Sequence, residues 1–135
     1  MHQNFWVASR RCRALELPTP TYVWQQGESS HATSIADYLT PLRAIIASVR
    51  DEDMNSARWL IGKSTWSTDG VTYKTSPTTR EACAAAVNNV DIFAGADTDT
   101  LLGPTYRSAA GGLHFTAAGA DAAAQLWADA IRLAL

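Results

Sequence analysis

Strands that alternate with helices predict an α/β fold with a parallel sheet covered on both faces. Two observations carry this. Short runs rich in β-branched and aromatic residues recur at 21–24, 58–62 and 90–94, as expected of buried strands. Stretches with apolar residues at helical spacing precede, separate and follow them. The order is one helix followed by three strand-helix units.

Residues 5–16 read as a helix, and Pro18 and Pro20 part it from the first strand, Thr21, Tyr22, Val23 and Trp24. Ile35, Tyr38, Leu39, Leu42, Ile45, Ile46 and Val49 form one apolar stripe, the clearest helix in the chain. Pro41 lies inside that pattern, so the regular helix either starts at a Thr40 cap with Pro41 in its first turn or kinks at Pro41. After the second strand, residues 64–77 are polar, aromatic and glycine-bearing, which predicts a long surface loop able to line a site. Thr78 with Glu81 matches a capping box for a helix through Val87, ended by Asn88 and Asn89. Thr116 caps a last helix over 117–135, whose Leu126, Trp127 and Ile131 supply apolar surface, with Trp127 expected in the core.

Composition narrows the function classes. The 135 residues, 47% of them hydrophobic, suit one domain with a packed core. Eleven basic residues stand against thirteen acidic ones, for a net charge of -2. No basic run could neutralise a row of phosphates, so nucleic acid is not an expected partner. No apolar run approaches the roughly 20 residues of a membrane-spanning helix, and residues 1–13 lack the apolar segment of a secretory leader. Cys12 and Cys83 lie far apart without metal-ligand spacing, which favours two packed thiols over a metal site, with a single disulfide as the alternative.

In an open parallel sheet the ligand site lies beyond the carboxyl ends of the strands. Two segments fall there: Trp24-Gln25-Gln26-Gly27-Glu28-Ser29 after the first strand, and Gly111-Gly112-Leu113-His114-Phe115 beyond the third. The first resembles the W-x-Q-G-E block of sialate O-acetylesterase-like and carbohydrate esterase family 6 proteins, within the SGNH (GDSL-like) hydrolases. The second, read on through Gly119, resembles their D-G-x-H-F-S-x-x-G block. The resemblance extends through Thr79 to Ala82 and Phe93 to Thr100, so it covers most of the chain from about Tyr22 onward.

The resemblance implies a flavodoxin-like, three-layer α/β/α SGNH-hydrolase fold, with residues 1–135 forming the C-terminal part of one such domain, without its N-terminal nucleophile strand. It implies a carbohydrate O-acetylesterase working through a serine ester, needing no cofactor or metal, acting on an acetylated carbohydrate, and exported from the cytoplasm. His114 matches the general base, and Gln26, followed by Gly27, matches the oxyanion-binding position. Two departures stand out. Nothing upstream of Gln26 resembles the family's glycine-serine block, since Ser9 sits in a helical context beside Arg10 and Arg11, and Gly111 replaces the aspartate that orients the histidine. Glu28 is the candidate substitute, against a plain role in accepting backbone N–H groups. The alternative function is a noncatalytic carbohydrate-binding or interaction module derived from such an esterase.

The remaining motifs read more simply. Trp66, Tyr73 and Tyr106 lie in polar loops and are candidates for stacking on sugar rings, against ordinary packing. Ser29 and Ser30 read as turn residues and His31 as solvated. Gly62-Lys63-Ser64 is not a phosphate loop, because Ala57 stands at the first glycine position and no helix follows. Asp97-Thr98-Asp99 lacks the further oxygen ligands of a calcium loop and predicts a hydrogen-bonded turn. The chemistry requires Gln26 and His114 on one rim of the sheet.

Overall fold

A computed structural model of the chain describes residues 7, 10–12, 14–16, 21–30, 32–51, 57–68, 73–108 and 112–134. The elements in chain order are β1 (Thr21–Trp24), α1 (Ile35–Asp51), β2 (Arg58–Lys63), β3 (Ser67–Thr68), β4 (Tyr73–Lys74), α2 (Pro77–Ala86), β5 (Ile92–Asp97), a 3-10 turn (Thr98–Thr100) and α3 (Ala117–Ala134). The helix expected over 5–16 lies partly outside the described residues, of which Val7, Arg10, Arg11, Cys12 and Ala14 are helical. His31, Gly111 and Ser9 also lie outside them.

The sheet is parallel, in the order β1-β2-β5. Tyr22 pairs with Trp59 and Trp24 with Ile61, while Trp59 pairs with Ile92 and Ile61 with Ala94. Strand periodicity then assigns the two faces. Trp59 and Ile61 point into a cluster built by Tyr38, Leu42, Ile46 and Val49 of α1 and Ala82, Cys83 and Ala86 of α2. Tyr22 stacks on Trp59 at 4.7 Å between ring centroids. The opposite face of β2 and β5 packs against α3. The chain is therefore an α/β fold of three layers, compatible with a flavodoxin-like arrangement. No described helix is long and apolar enough to cross a membrane.

Local chemistry shifts several expected boundaries. α1 runs unbroken from Ile35 with Pro41 inside it, and Ser34 caps it by accepting the Asp37 N–H at 3.1 Å. Ser76, not Thr78, caps α2: its hydroxyl accepts from the Thr79 N–H, Pro77 occupies the first turn, and Thr78 donates instead to the Thr33 carbonyl. α2 stops at Ala86, with Val87 already extended. The third strand starts at Ile92 rather than 90, because the Asn88 side-chain oxygen accepts the N–H groups of Val90, Asp91 and Ile92 and holds Val90 and Asp91 in a loop. Segment 64–77 is no simple surface loop: it holds the antiparallel β3-β4 pair and buries Ser64, Thr65, Ser67 and Ser76. The last helix begins as expected, with the Thr116 hydroxyl accepting the Gly119 N–H at 3.0 Å. Cys12 and Cys83 are both free thiols.

Trp127 locks α3 to the sheet, half-buried rather than fully in the core. Its ring lies over Gly62 and Gly95, where a Cβ would sit 2.7 Å from ring carbons, and its indole N–H donates to Gln25 Oε1 at 2.8 Å. At Gly95 the added carbon would also sit 2.8 Å from the Gly62 backbone nitrogen. Gly95→Ala must therefore push the helix off the sheet, and we expect it to cost about 1–3 kcal/mol, read as a lower urea midpoint. An unchanged midpoint would contradict this packing.

Candidate functional site

Three loops leave the carboxyl ends of the three parallel strands and share one rim. β1 ends at Trp24 and leads into Gln25 to Ser30. β2 ends at Lys63 and leads into Ser64, Thr65 and Trp66. β5 ends at Asp97, and the chain from Thr98 onward carries Arg107 and then His114. Each loop is held by a different buried polar group.

The middle loop depends on Asp99, which is only 4% exposed. Its carboxylate accepts the Thr65 N–H at 2.6 Å, the Thr65 hydroxyl at 2.6 Å and the Trp66 N–H at 3.0 Å. Arg80 donates to it at 2.7 Å and to Asp97 at 2.7 and 2.8 Å. Donation to the Asp97 carboxylate is the chief cause that raises the Arg80 pKa above its ordinary value. The Asp97-Thr98-Asp99 segment is thus a hydrogen-bonded turn whose two carboxylates share one guanidinium. Among the described residues no three His, Cys, Asp or Glu side chains gather as a metal site.

The first loop forms a pocket of about 210 Å³ lined by Gln25, Gln26, Gly27, Glu28, Ser29 and Ser64. Gly27 lets it close on β2, since a Cβ there would lie 2.7 Å from the Ser64 carbonyl oxygen. The Gln26 side-chain amide donates to Ser30 Oγ at 3.1 Å, and the Gln26 carbonyl accepts from the Tyr38 hydroxyl at 2.7 Å. Burial raises the Tyr38 pKa well above the ordinary tyrosine range, an effect that the Trp24 indole N–H opposes. Glu28 is half-buried and accepts from Ser64 Oγ at 3.5 Å. Ser64 also accepts from the Gln25 amide at 3.4 Å. Ser30 is a turn residue, its N–H bonded to the Gly27 carbonyl, but its hydroxyl faces Gln26.

Arg107 holds the histidine loop. Buried to 3% exposure, it donates to three backbone carbonyls: Leu101 at 2.9 Å, Leu113 at 2.8 Å and Thr98 at 3.0 Å. Its guanidinium lies 4.0 Å from the centre of the Phe115 ring. Burial lowers its pKa, and the nearby charges of Glu28 and Asp99 counter that shift. The loop is tied to the rim a second time, because the Trp66 indole donates to the Gly112 carbonyl at 2.8 Å.

Of the residues singled out in the sequence, Gln26, Gly27 and Glu28 share the pocket, and His114 does not line it. His114 is exposed on the adjoining loop, and among the described residues its imidazole makes no hydrogen bond, to Glu28 or otherwise. Trp66 stacks with Tyr73, 6.3 Å between ring centroids at 18°, beside Gly112. Tyr106 stands apart from that pair and braces the start of α3, its carbonyl accepting the Thr116 N–H. Sequence reasoning missed Ser64, Tyr38, Arg80 and Arg107. Ser64 gave a signal by its position just after a strand, and Arg80 by lying within the Thr79 to Ala82 segment that carries the resemblance.

Two outcomes follow. Asp99→Asn turns an acceptor-only carboxylate into an amide whose NH2 must face existing donors, and a buried donor left without its acceptor costs about 1–3 kcal/mol. We expect that loss in urea unfolding, against about 0.5 kcal/mol or less for Asp129→Asn in the exposed pair with Arg132. Because the folded chain disfavours ionised Tyr38, the unfolded chain ionises first as pH rises, so stability falls above about pH 10. The urea midpoint of Tyr38→Phe should fall less between about pH 9 and 11 than that of the parent chain.

None of the known family models matches the chain, and no curated protein and no solved structure shows significant similarity to it.

Proposed function

We propose that the chain carries the oxyanion-binding and general-base parts of a serine-type carbohydrate O-acetylesterase. The observation that supports this most is the rim pocket. It gathers Gln26, Gly27 and Glu28 beyond the carboxyl ends of parallel strands, next to a histidine loop anchored by Arg107 and Trp66.

In this reading the hydroxyl of a serine attacks the acetyl carbonyl while His114 takes its proton. The carbonyl oxygen gains the charge, and the Gln26 amide stabilises it as a neutral donor. Collapse of the tetrahedral species breaks the bond to the sugar oxygen, which takes the proton from the imidazolium. Water, deprotonated by His114, then releases acetate from the acyl-serine. The family carries that serine in a glycine-serine block ahead of the Q-G-E block, and no serine of this chain matches it. Exposed Gln26 and His114 leave both groups open to a ligand.

A second reading is a noncatalytic carbohydrate-binding module. The unpartnered imidazole of His114 and the glycine at position 111 favour it, because nothing described orients the base.

Titration with a per-O-acetylated methyl xyloside and its unacetylated counterpart, followed by NMR, tests the site. We expect the acetylated sugar alone to shift the Gln26 and His114 signals, with the effect lost in Gln26→Ala. Equal shifts from both sugars would favour the noncatalytic module, and no shift from either would remove both readings. Acetate release by the 135-residue chain should be negligible, and rapid fluorophosphonate labelling of any of its serines would overturn the assignment of roles.

A further inference from the structure

We propose that Tyr38 is the positioning residue for the Gln26 oxyanion donor: its hydroxyl, gripped by Trp24 and Cys83, fixes the Gln26 backbone and so aims the side-chain amide into the rim pocket. This rests on the function proposed above, which makes Gln26 a donor, while the geometry stands independently of it.

A phenolic hydroxyl has one proton to give and two lone pairs to accept with. Tyr38 uses all three. It donates to the Gln26 carbonyl at 2.7 Å and accepts from Trp24 Nε1 at 3.1 Å and from the Cys83 thiol at 3.6 Å. With both acceptor sites engaged, the hydroxyl has one orientation left, and that orientation points at Gln26. The ring belongs to the core packed on β2 and is 5% exposed. A helix of the core thereby reaches the loop after β1 at the Gln26 carbonyl.

The contact asks for a functional explanation because Gln26 is itself exposed. The carbonyl of an exposed residue is ordinarily satisfied by water, yet here it takes the proton of a buried tyrosine. The amide end is held as well. Gln26 Nε2 donates to Ser30 Oγ at 3.1 Å, and Ser30, 6% exposed, is fixed by its N–H on the Gly27 carbonyl and by Thr79, whose hydroxyl donates to the Ser30 carbonyl at 2.9 Å. An amide NH2 has two protons. Ser30 takes one, and the other is left for a ligand oxygen. Holding a donor in place before charge develops is how such groups accelerate acyl transfer.

The test compares Tyr38→Phe, Ile46→Val and the parent 135-residue chain. Tyr38→Phe should shift or broaden the Gln26 side-chain amide NMR signals and leave the backbone amide signals of Asp129 to Arg132 in α3, on the other face of the sheet, in place. Ile46→Val loosens the same core and lowers the melting temperature but leaves every partner of the Tyr38 hydroxyl in place, so its Gln26 signals should match the parent's. A purely structural role would make the two variants alike. Should Tyr38→Phe fail to fold, incorporation of 3-fluorotyrosine keeps the ring while strengthening the O–H as a donor. The carbonyl-carbon resonance of Gln26 should then move. Unmoved Gln26 signals in the folded Tyr38→Phe chain, or an unmoved carbonyl resonance in the fluorinated one, overturn the proposal. Binding of the per-O-acetylated methyl xyloside should weaken about fivefold in Tyr38→Phe and stay within about twofold in Ile46→Val. If the parent chain does not bind that probe, the esterase reading falls, and the Gln26 signals still decide the geometry.

Discussion

The carboxylate of Asp99 sets the geometry of the rim. A loop that turns sharply after a buried strand exposes backbone N–H groups where water cannot reach them, and each orphaned group carries a cost comparable to a lost hydrogen bond. Asp99 takes two such groups, from Thr65 and Trp66, together with the Thr65 hydroxyl. A buried carboxylate in turn needs a counter-charge, and Arg80 of α2 supplies it while reaching Asp97 at the end of β5. One residue thereby ties together the end of β2, the end of β5 and a helix on one face of the sheet.

Thr65 extends the tie, because its hydroxyl also accepts the Ser76 N–H at the start of α2. Trp66 carries it to the histidine loop through the Gly112 carbonyl. The same device recurs with other chemistry on either side. Tyr38 holds the loop after β1 through one carbonyl, and Arg107 holds the loop before α3 through three. In each of these cases a buried side chain satisfies backbone groups distant from it in the chain or across its own loop. Loops held in this way can present exposed Gln26 and His114 from a fixed frame, which is what a preorganised site requires.

Glu28 shows how that frame constrains the chemistry. Its carboxylate lies with Ser64 in the pocket, while the histidine loop is held by Arg107, and the charge of Glu28 is felt at that buried guanidinium. In the described geometry Glu28 bonds to Ser64 and makes no hydrogen bond to the imidazole. A ligand joining Gln26 to His114 would bridge two separately anchored loops.

The sequence by itself determined the architecture. The Tyr22 to Trp24 and Trp59 to Ile61 strand cores and the apolar stripe from Ile35 to Val49 are local patterns, and a period of two or of 3.6 residues is legible in any short window. The sequence also placed Gln26, Gly27 and Glu28 just past a strand. Local competition blurred the boundaries: Asn88 held Val90 and Asp91 out of the strand, Ser76 with Pro77 displaced Thr78 as the cap, and two-residue strands at β3 and β4 are too short to show a period. Only the tertiary structure decided what holds the site. Asp99 meets Thr65 across 34 positions, Gln25 meets Trp127 across 102, and Tyr38 meets Cys83 across 45. Such contacts leave no trace in local periodicity, because they form only after the helices have packed and brought buried polar groups within reach of one another.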